Sequence, residues 1–247
     1  MHTQPGTGGG ASQPRKAVIK RKQSPSILRQ QLLLHPGDRT VVLIDGSNTH
    51  TAVQNLGFQI DYKNLHELFA NSCRLVRMYY FTALPEMRDD THHPIKPLTD
   101  WLSYNGYTVV SKPTKEFFNE STGQTRVKGN MDIEICITFM HAIKHADHIV
   151  LMTGDGDFRR LIEEGQNAGV RVSVISTTQT RPSMLADELR RQADANLDLT
   201  QLQSYIARRR MHEQNTRRLS YTEGGQEGEQ ASEFDVNDLD TANYGEA

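Results

Sequence analysis

Four aspartates carry the chemical content of this sequence. Asp45 directly follows the apolar run VVLI, Asp155 and Asp157 follow HIVLM within TGDGDF, and Asp132 opens a helical segment after Lys128-Gly129. Each has an ordinary structural use. Asp157 can cap a helix, Asp155 can turn the chain between Gly154 and Gly156, Asp45 can make an Asx-turn before Gly46, and Asp132 suits the first turn of a helix dipole. Convergence of all four on one edge would exceed those local uses. Like charges a few ångströms apart raise one another's pKa, and a hard divalent cation relieves the repulsion. Mg²⁺ takes a few carboxylates and keeps several waters. Such an ion lowers the pKa of a bound water and stabilises charge on a phosphoryl oxygen. The chemistry in outline is phosphodiester hydrolysis.

The elements around these acids decide whether they meet. Residues 40–44 (TVVLI) are β-branched and end at Asp45-Gly46, a turn signal. Residues 62–72 are helical in period, 74–81 a strand, 94–105 a helix closed by Gly106, and 107–111 a strand. Residues 117–127 read as a hairpin about Ser121-Thr122-Gly123. Residues 131–144 are helical, with Ile135, Phe139 and Ile143 at four-residue spacing. Strands at 148–152 and 170–175 flank a helix over 158–168 that ends at Gly169, and 182–192 forms a last amphipathic helix. Alternation of this kind predicts an α/β fold of three layers, with a mainly parallel central sheet of about five strands. In open sheets of this class ligands bind outside the carboxyl ends of the strands, at a switch in strand order.

IDGSN after the first strand, KGNMDIEI at the central helix, and TGDGDFRRLI followed by VRVSVIS together resemble the NYN domain. That domain is part of the PIN-like nuclease superfamily, and the sequence is most similar to its LabA-like bacterial branch over roughly residues 40–201. The resemblance implies a Rossmann-like α/β/α sandwich with an acidic, Mg²⁺- or Mn²⁺-dependent ribonuclease centre. It matches Asp45 to the first-strand acid, Asp132 to the central-helix acid, and Asp155 and Asp157 to the loop pair. Asn48 matches an asparagine that orients a water or phosphate. The products implied are a 5′-phosphate and a 3′-hydroxyl. Glu134, two residues past Asp132, falls about 200° away on a helix and reads as a structural or supporting carboxylate.

A polyanionic substrate needs cations near these acids. Lys112, Lys115, Arg126 and Lys128 flank them in the hairpin region; Lys112, Arg126 and Lys128 are the expected RNA contacts, and Phe117 and Phe118 offer stacking surfaces for unpaired bases. The net charge of −2 conceals unlike blocks: +6 over residues 1–40, −4 over 41–207, +4 over 208–218 and −8 over 219–247. The expected organisation follows. Residues 1–39 form a basic, mostly disordered arm with room for a short amphipathic helix over 26–34, and 40–201 the nuclease domain. Residues 202–218 form a basic extension and 219–247 an acidic, disordered tail. The charged ends could extend the RNA footprint, the acidic tail could compete with RNA for the basic arms, and either could engage protein partners; a homo-oligomer is also open.

Other classes fit less well. No apolar run approaches the ~18 residues of a membrane span, and residues 1–16 lack a secretory apolar core. Cys73 and Cys136 sit in apolar, periodic segments as small hydrophobes, which argues for a reducing, cytoplasmic setting and against a disulfide framework or thiolate zinc site. His92-His93 and the His141/His145 pair lack the companions of a transition-metal motif. An aspartyl phosphatase wants a second acid two residues after the first, where Ser47 stands. A metal-adhesion site would be served by Asp45-Gly46-Ser47-Asn48-Thr49 alone and would not need the Asp155/Asp157 pair. The serious rival to a metal-dependent ribonuclease acting on single-stranded RNA is an RNA-binding or regulatory adaptor of the same fold with little turnover.

Overall fold

The computed structural model describes residues 26–84, 95–119 and 124–208. Its first strand, β1 (Arg39–Asp45), shows why the sheet is covered on both sides. Val41, Val42, Leu43 and Ile44 are all at most 1% exposed, as expected of a central parallel strand. Their period of two divides them: Val42 and Ile44 enter one hydrophobic core, Val41 and Leu43 the other. The strand β6 (His148–Met152) splits the same way, Val150 and Met152 against Ile149 and Leu151. Two cores on opposite faces of one sheet make a three-layer α/β/α arrangement.

The main sheet has six strands, in the order β3-β2-β1-β6-β7-β8, and every pairing in it is parallel. Besides β1 and β6 these are β2 (Arg74–Leu84), β3 (Tyr107–Pro113), β7 (Arg171–Ser176) and β8 (Ala195–Asp198). A separate antiparallel hairpin joins β4 (Lys115–Asn119) to β5 (Gln124–Lys128). One face carries α1 (Ser26–Gln31), α2 (Gly46–Asn55), α3 (Tyr62–Ala70), α4 (Lys96–Tyr104) and α8 (Leu199–Ile206), whose buried residues join one core. The other carries α5 (Asp132–Ala142), α6 (Arg159–Asn167) and α7 (Asp187–Gln192). Leu28, Leu32 and Leu34 are buried in the first of these cores, so the segment from residue 26 packs onto the domain.

Three details differ from the sequence reading. The sixth strand is ANLD, too short and polar to show alternation, and it pairs along β7 from Ser173↔Ala195 to Ser176↔Asp198. Asp45-Gly46 starts a helix rather than a turn: the Asp45 carboxylate caps α2 by accepting from the Asn48 backbone N–H. The helix expected over 182–192 is confined to Asp187–Gln192, because Met184, Leu185 and Ala186 are spent tying an irregular segment to neighbouring loops.

The sheet topology sets the position of the acids. Strand order runs outward from β1 to β2 and β3 on one side and from β6 to β7 and β8 on the other. The junction between β1 and β6 is therefore the switch point, where two strand ends diverge into different layers and leave a crevice. Ile44 is paired with Met152, which places Asp45 and Thr153 side by side at that crevice.

Candidate metal centre

The TGDGDF loop begins at the end of β6. Asp155 caps a 3₁₀ turn over Gly156–Phe158, its carboxylate accepting from the Asp157 backbone N–H at 3.0 Å. The capping acid is thus Asp155, and the side chain of Asp157 is left to project. A Cβ at Gly154 would collide with the Met184 carbonyl and the Ser176 hydroxyl, so the loop can pass only with glycine there. Ala186 N–H donates to the Gly154 carbonyl at 2.9 Å, fixing the loop against the chain that leads into α7.

Asp132 comes from the start of α5. Asn130 holds it twice: the Asn130 amide donates to the Asp132 carboxylate at 2.6 Å, and the Asp132 N–H donates back to the Asn130 Oδ1 at 2.7 Å. Oxygen atoms of Asp132, Asp155 and Asp157 all lie within 4.8 Å of one another. Asp132 and Asp155 are half-buried and Asp157 is exposed, so the group opens to solvent. The donor set is all carboxylate oxygen, with no histidine or cysteine, which suits a hard divalent cation.

Asp45 lies behind that trio rather than within it. Its Oδ1 accepts from the Asn48 N–H at 3.1 Å and its Oδ2 from the Thr153 hydroxyl at 3.3 Å. Burial pushes its pKa up to about 6, against the pull of those two hydrogen bonds, and the charges of Asp132 and Asp155 push the same way. Burial is the larger cause, and the carboxylates of Asp132 and Asp155 add negative charge that calls for compensation. A cation among them would supply it, and the residues present fit such an ion.

Sequence reasoning missed the groups that tie these acids together. Thr153 bridges two of them, donating to Asp45 while its oxygen accepts from the Asp155 N–H at 3.3 Å. Asn48 is committed to the fold: its Oδ1 accepts from the Gly154 N–H at 2.9 Å, locking α2 to the TGDGDF loop. Gly46 lets α2 start this close to β2, since a Cβ there would lie 2.6 Å from the Phe81 carbonyl oxygen. The position of Thr153 immediately after β6 was the one available signal for its role.

Of the expected RNA contacts, Lys112 at the end of β3 donates to Glu134 on α5 at 2.8 Å, and the ammonium holds the Glu134 carboxyl below its usual range. The pair pins the helix carrying Asp132 to the sheet. The side chains of Arg126 and Lys128 on β5, and of Lys115, Phe117 and Phe118 on β4, lie outside the described residues, as do His92 and His93, the first 25 residues and those from 209 onward. His141 and His145 are exposed. No helix among the described residues is long and apolar enough to cross a membrane.

Comparison with known proteins agrees with this architecture. The chain is 36% identical over 171 residues to the low amplitude and bright protein LabA of Synechococcus elongatus, covering 68% of this chain and 87% of that protein. A crystal structure of a Vibrio parahaemolyticus protein of unknown function superposes with a TM-score of 0.53 at 20% identity, over 66% of this chain and 93% of that one, which shows a shared fold. The family model described as NYN domain matches residues 39–200, a span that includes all four aspartates. The chain belongs to the NYN domain family, whose fold is of the PIN-like nuclease type.

Proposed function

We propose that this protein is a metal-dependent ribonuclease that hydrolyses phosphodiester bonds in single-stranded RNA. The observation that carries the reading is the approach of Asp132, Asp155 and Asp157 within 4.8 Å at the switch point of the sheet. Family membership supplies the substrate class, since NYN domains are nuclease-like and RNA-associated.

In this reading Asp132, Asp155 and Asp157 hold Mg²⁺ or Mn²⁺, with Asp45 adding its charge from behind. A divalent ion bound there supplies Lewis acidity, acidifying a water and neutralising charge on a phosphoryl oxygen. The chain's own groups hold the acids still. Asn130 fixes Asp132, Thr153 couples Asp45 to Asp155, Asn48 locks the loop, and the Lys112–Glu134 pair anchors α5. Rigid placement of ligands before substrate arrives is what makes such a site effective. The products are a 5′-phosphate and a 3′-hydroxyl.

The test is cleavage of end-labelled single-stranded RNA by the full chain with Mg²⁺ or Mn²⁺. EDTA should stop it, and Asp155→Asn should lower kcat by at least about 100-fold, a ligand loss being at least as severe as loss of a supporting group. Undiminished cleavage by Asp155→Asn would overturn the assignment. Tight RNA binding without cleavage under either metal would favour the adaptor reading instead.

A further inference from the structure

The acids at the switch point repel an RNA strand, so some cation must hold the substrate phosphates beside them. Of the three expected contacts, Lys112 is the one whose side chain is among the described residues, and it is paired with Glu134 at 2.8 Å. The elements that carry or pack on the TGDGDF loop bear five further arginines among the described residues: Arg159 and Arg160 on α6, Arg181 before α7, and Arg190 and Arg191 on it. Three of these are committed or distant. Arg160 pairs with Glu163 at 2.8 Å and Glu164 at 3.5 Å, and Arg191 pairs with Asp187. Arg190 lies in the half of α7 that leads away from the loop, where the Gln192 carbonyl accepts from Gln166 at the far end of α6.

Arg159 and Arg181 remain, both exposed and with no acid partner among the described residues. Arg159 follows Asp157 by two residues, at the first position of α6. It sits seven residues before Gln166, only about 20° away around the helix, and Gln166 is the residue that bonds to α7. Arg159 is therefore on the α7 side, whereas Arg160 is turned towards its own glutamates. Arg181 stands at the tip of the segment between β7 and α7. That segment is closed on itself by the Leu185 N–H donating to the Thr177 carbonyl at 2.9 Å, and by Thr180, whose hydroxyl donates to the Pro182 carbonyl at 2.8 Å and accepts from the Met184 N–H at 3.2 Å. The Ala186–Gly154 bond then staples it to the acidic loop. Two guanidiniums are thus presented by anchored backbone beside the acidic loop; neither forms an ion pair among the described residues, although the Glu188 carboxylate of α7 lies against Gly156 on the same side.

We propose that Arg159 and Arg181 form the phosphate-binding flank of the centre, so that the RNA backbone crosses the acids on the α6–α7 side and not over the Lys112–Glu134 pair. The proposal rests on the ribonuclease reading. A guanidinium matches a phosphodiester with two parallel N–H donors, and its grip is on the backbone, so it positions any sequence alike.

The experiment measures binding of a fluorescent oligouridylate to the full chain with EDTA present, across a series of salt concentrations, and steady-state cleavage of the same RNA with Mn²⁺. For single strands each phosphate contact contributes about 0.7 to the slope of log affinity against log salt. Arg159→Ala/Arg181→Ala should make the slope shallower by about 1.4 and place the loss of cleavage on KM. Lysine at both positions should restore the slope, Arg160→Ala should leave it as in the wild type, and the Mn²⁺ isotherm should not move. An unchanged slope in a double variant of a wild type that binds and cleaves RNA overturns the flank and leaves the ribonuclease reading standing. A wild type that neither binds nor cleaves RNA overturns both.

Discussion

At the edge of the sheet where the strands begin, acids meet bases. Asp147 accepts from the Arg39 backbone N–H at 2.8 Å and from its guanidinium at 3.0 and 2.6 Å, and these bonds hold its carboxyl well below the ordinary range. Asp38 meets Arg171 at 3.3 Å. At the edge where the strands end, acids meet acids: Asp132, Asp155 and Asp157 crowd together and Asp45 is pushed up to about 6. A third aspartate environment separates position from purpose. Asp198 also ends a strand and is partly buried, which raises its pKa. Hydrogen bonds from the Thr178 and Thr200 N–H groups and the Thr200 and Thr177 hydroxyls outweigh burial and hold it low. Asp45 also ends a strand and caps a helix, but it is more deeply buried and has Asp132 and Asp155 for neighbours, so its two donors do not outweigh burial.

Asp155→Asn tests that contrast most severely. Besides losing cleavage, it should lose the rise in melting temperature that Mn²⁺ gives the wild type, because only the folded state binds the ion. In EDTA its melting temperature should match or exceed the wild-type value, since one charge has left a repulsive group. A fall comparable to that of a core substitution would show that the acids serve folding.

The next effect belongs to the opposite edge. His148 is fully buried at the start of β6, with Nε2 2.8 Å from the Ser173 hydroxyl, which in turn donates to the Leu32 carbonyl at 3.1 Å. Since Ser173 spends its proton on Leu32, His148 must donate through Nε2, and its Nδ1 is buried without a hydrogen-bond partner, which favours the neutral ring. Burial lowers its pKa to about 4 from 6.5. The unfolded chain therefore takes up a proton first as pH falls, and stability drops between about 6.5 and 4 by up to about 3 kcal/mol from this group. Urea unfolding of His148→Gln should show that much less loss across the window; parallel curves would mean the ring is charged in the native state.

The parts legible in sequence were those written in short-range pattern. VVLI and HIVLM read as buried strands because all their neighbours are apolar, and the acids that follow them inherit the strand ends. Asp45-Gly46 was ambiguous for a physical reason: an aspartate that accepts from a backbone N–H two or three residues on serves a turn and a helix cap equally well. Contacts across the chain were not legible. Glu134 lies 22 residues from Lys112, and Asn48 lies 106 from the Gly154 N–H it accepts from. Neither the glutamate that Lys112 meets nor the loop N–H that the Asn48 oxygen accepts from is marked by any local pattern.

The smallest effects give the sharpest form of the comparison, because the same substitution should act with opposite signs at the two edges. Asp45 has a raised pKa, so the native state binds more protons between about 3.8 and 6, and the cost of its charge is complete above that window. Asp45→Asn should therefore stabilise the metal-free protein at pH 7.5, by no more than about 3 kcal/mol and less where water screens the group, with the gain gone below pH 4. Asp147 has a lowered pKa, so its stabilisation is present above the unfolded value of 3.8 and fades as pH falls towards the native one. Asp147→Asn should lower the melting temperature at pH 7.5, and the deficit should shrink in acid and in high salt because the Arg39 pair is open to solvent. Thermal melts of both variants in EDTA decide the matter. Equal signs would mean that the cost of burying the Asp45 charge is offset within the protein itself, and the contrast between the two edges would fall.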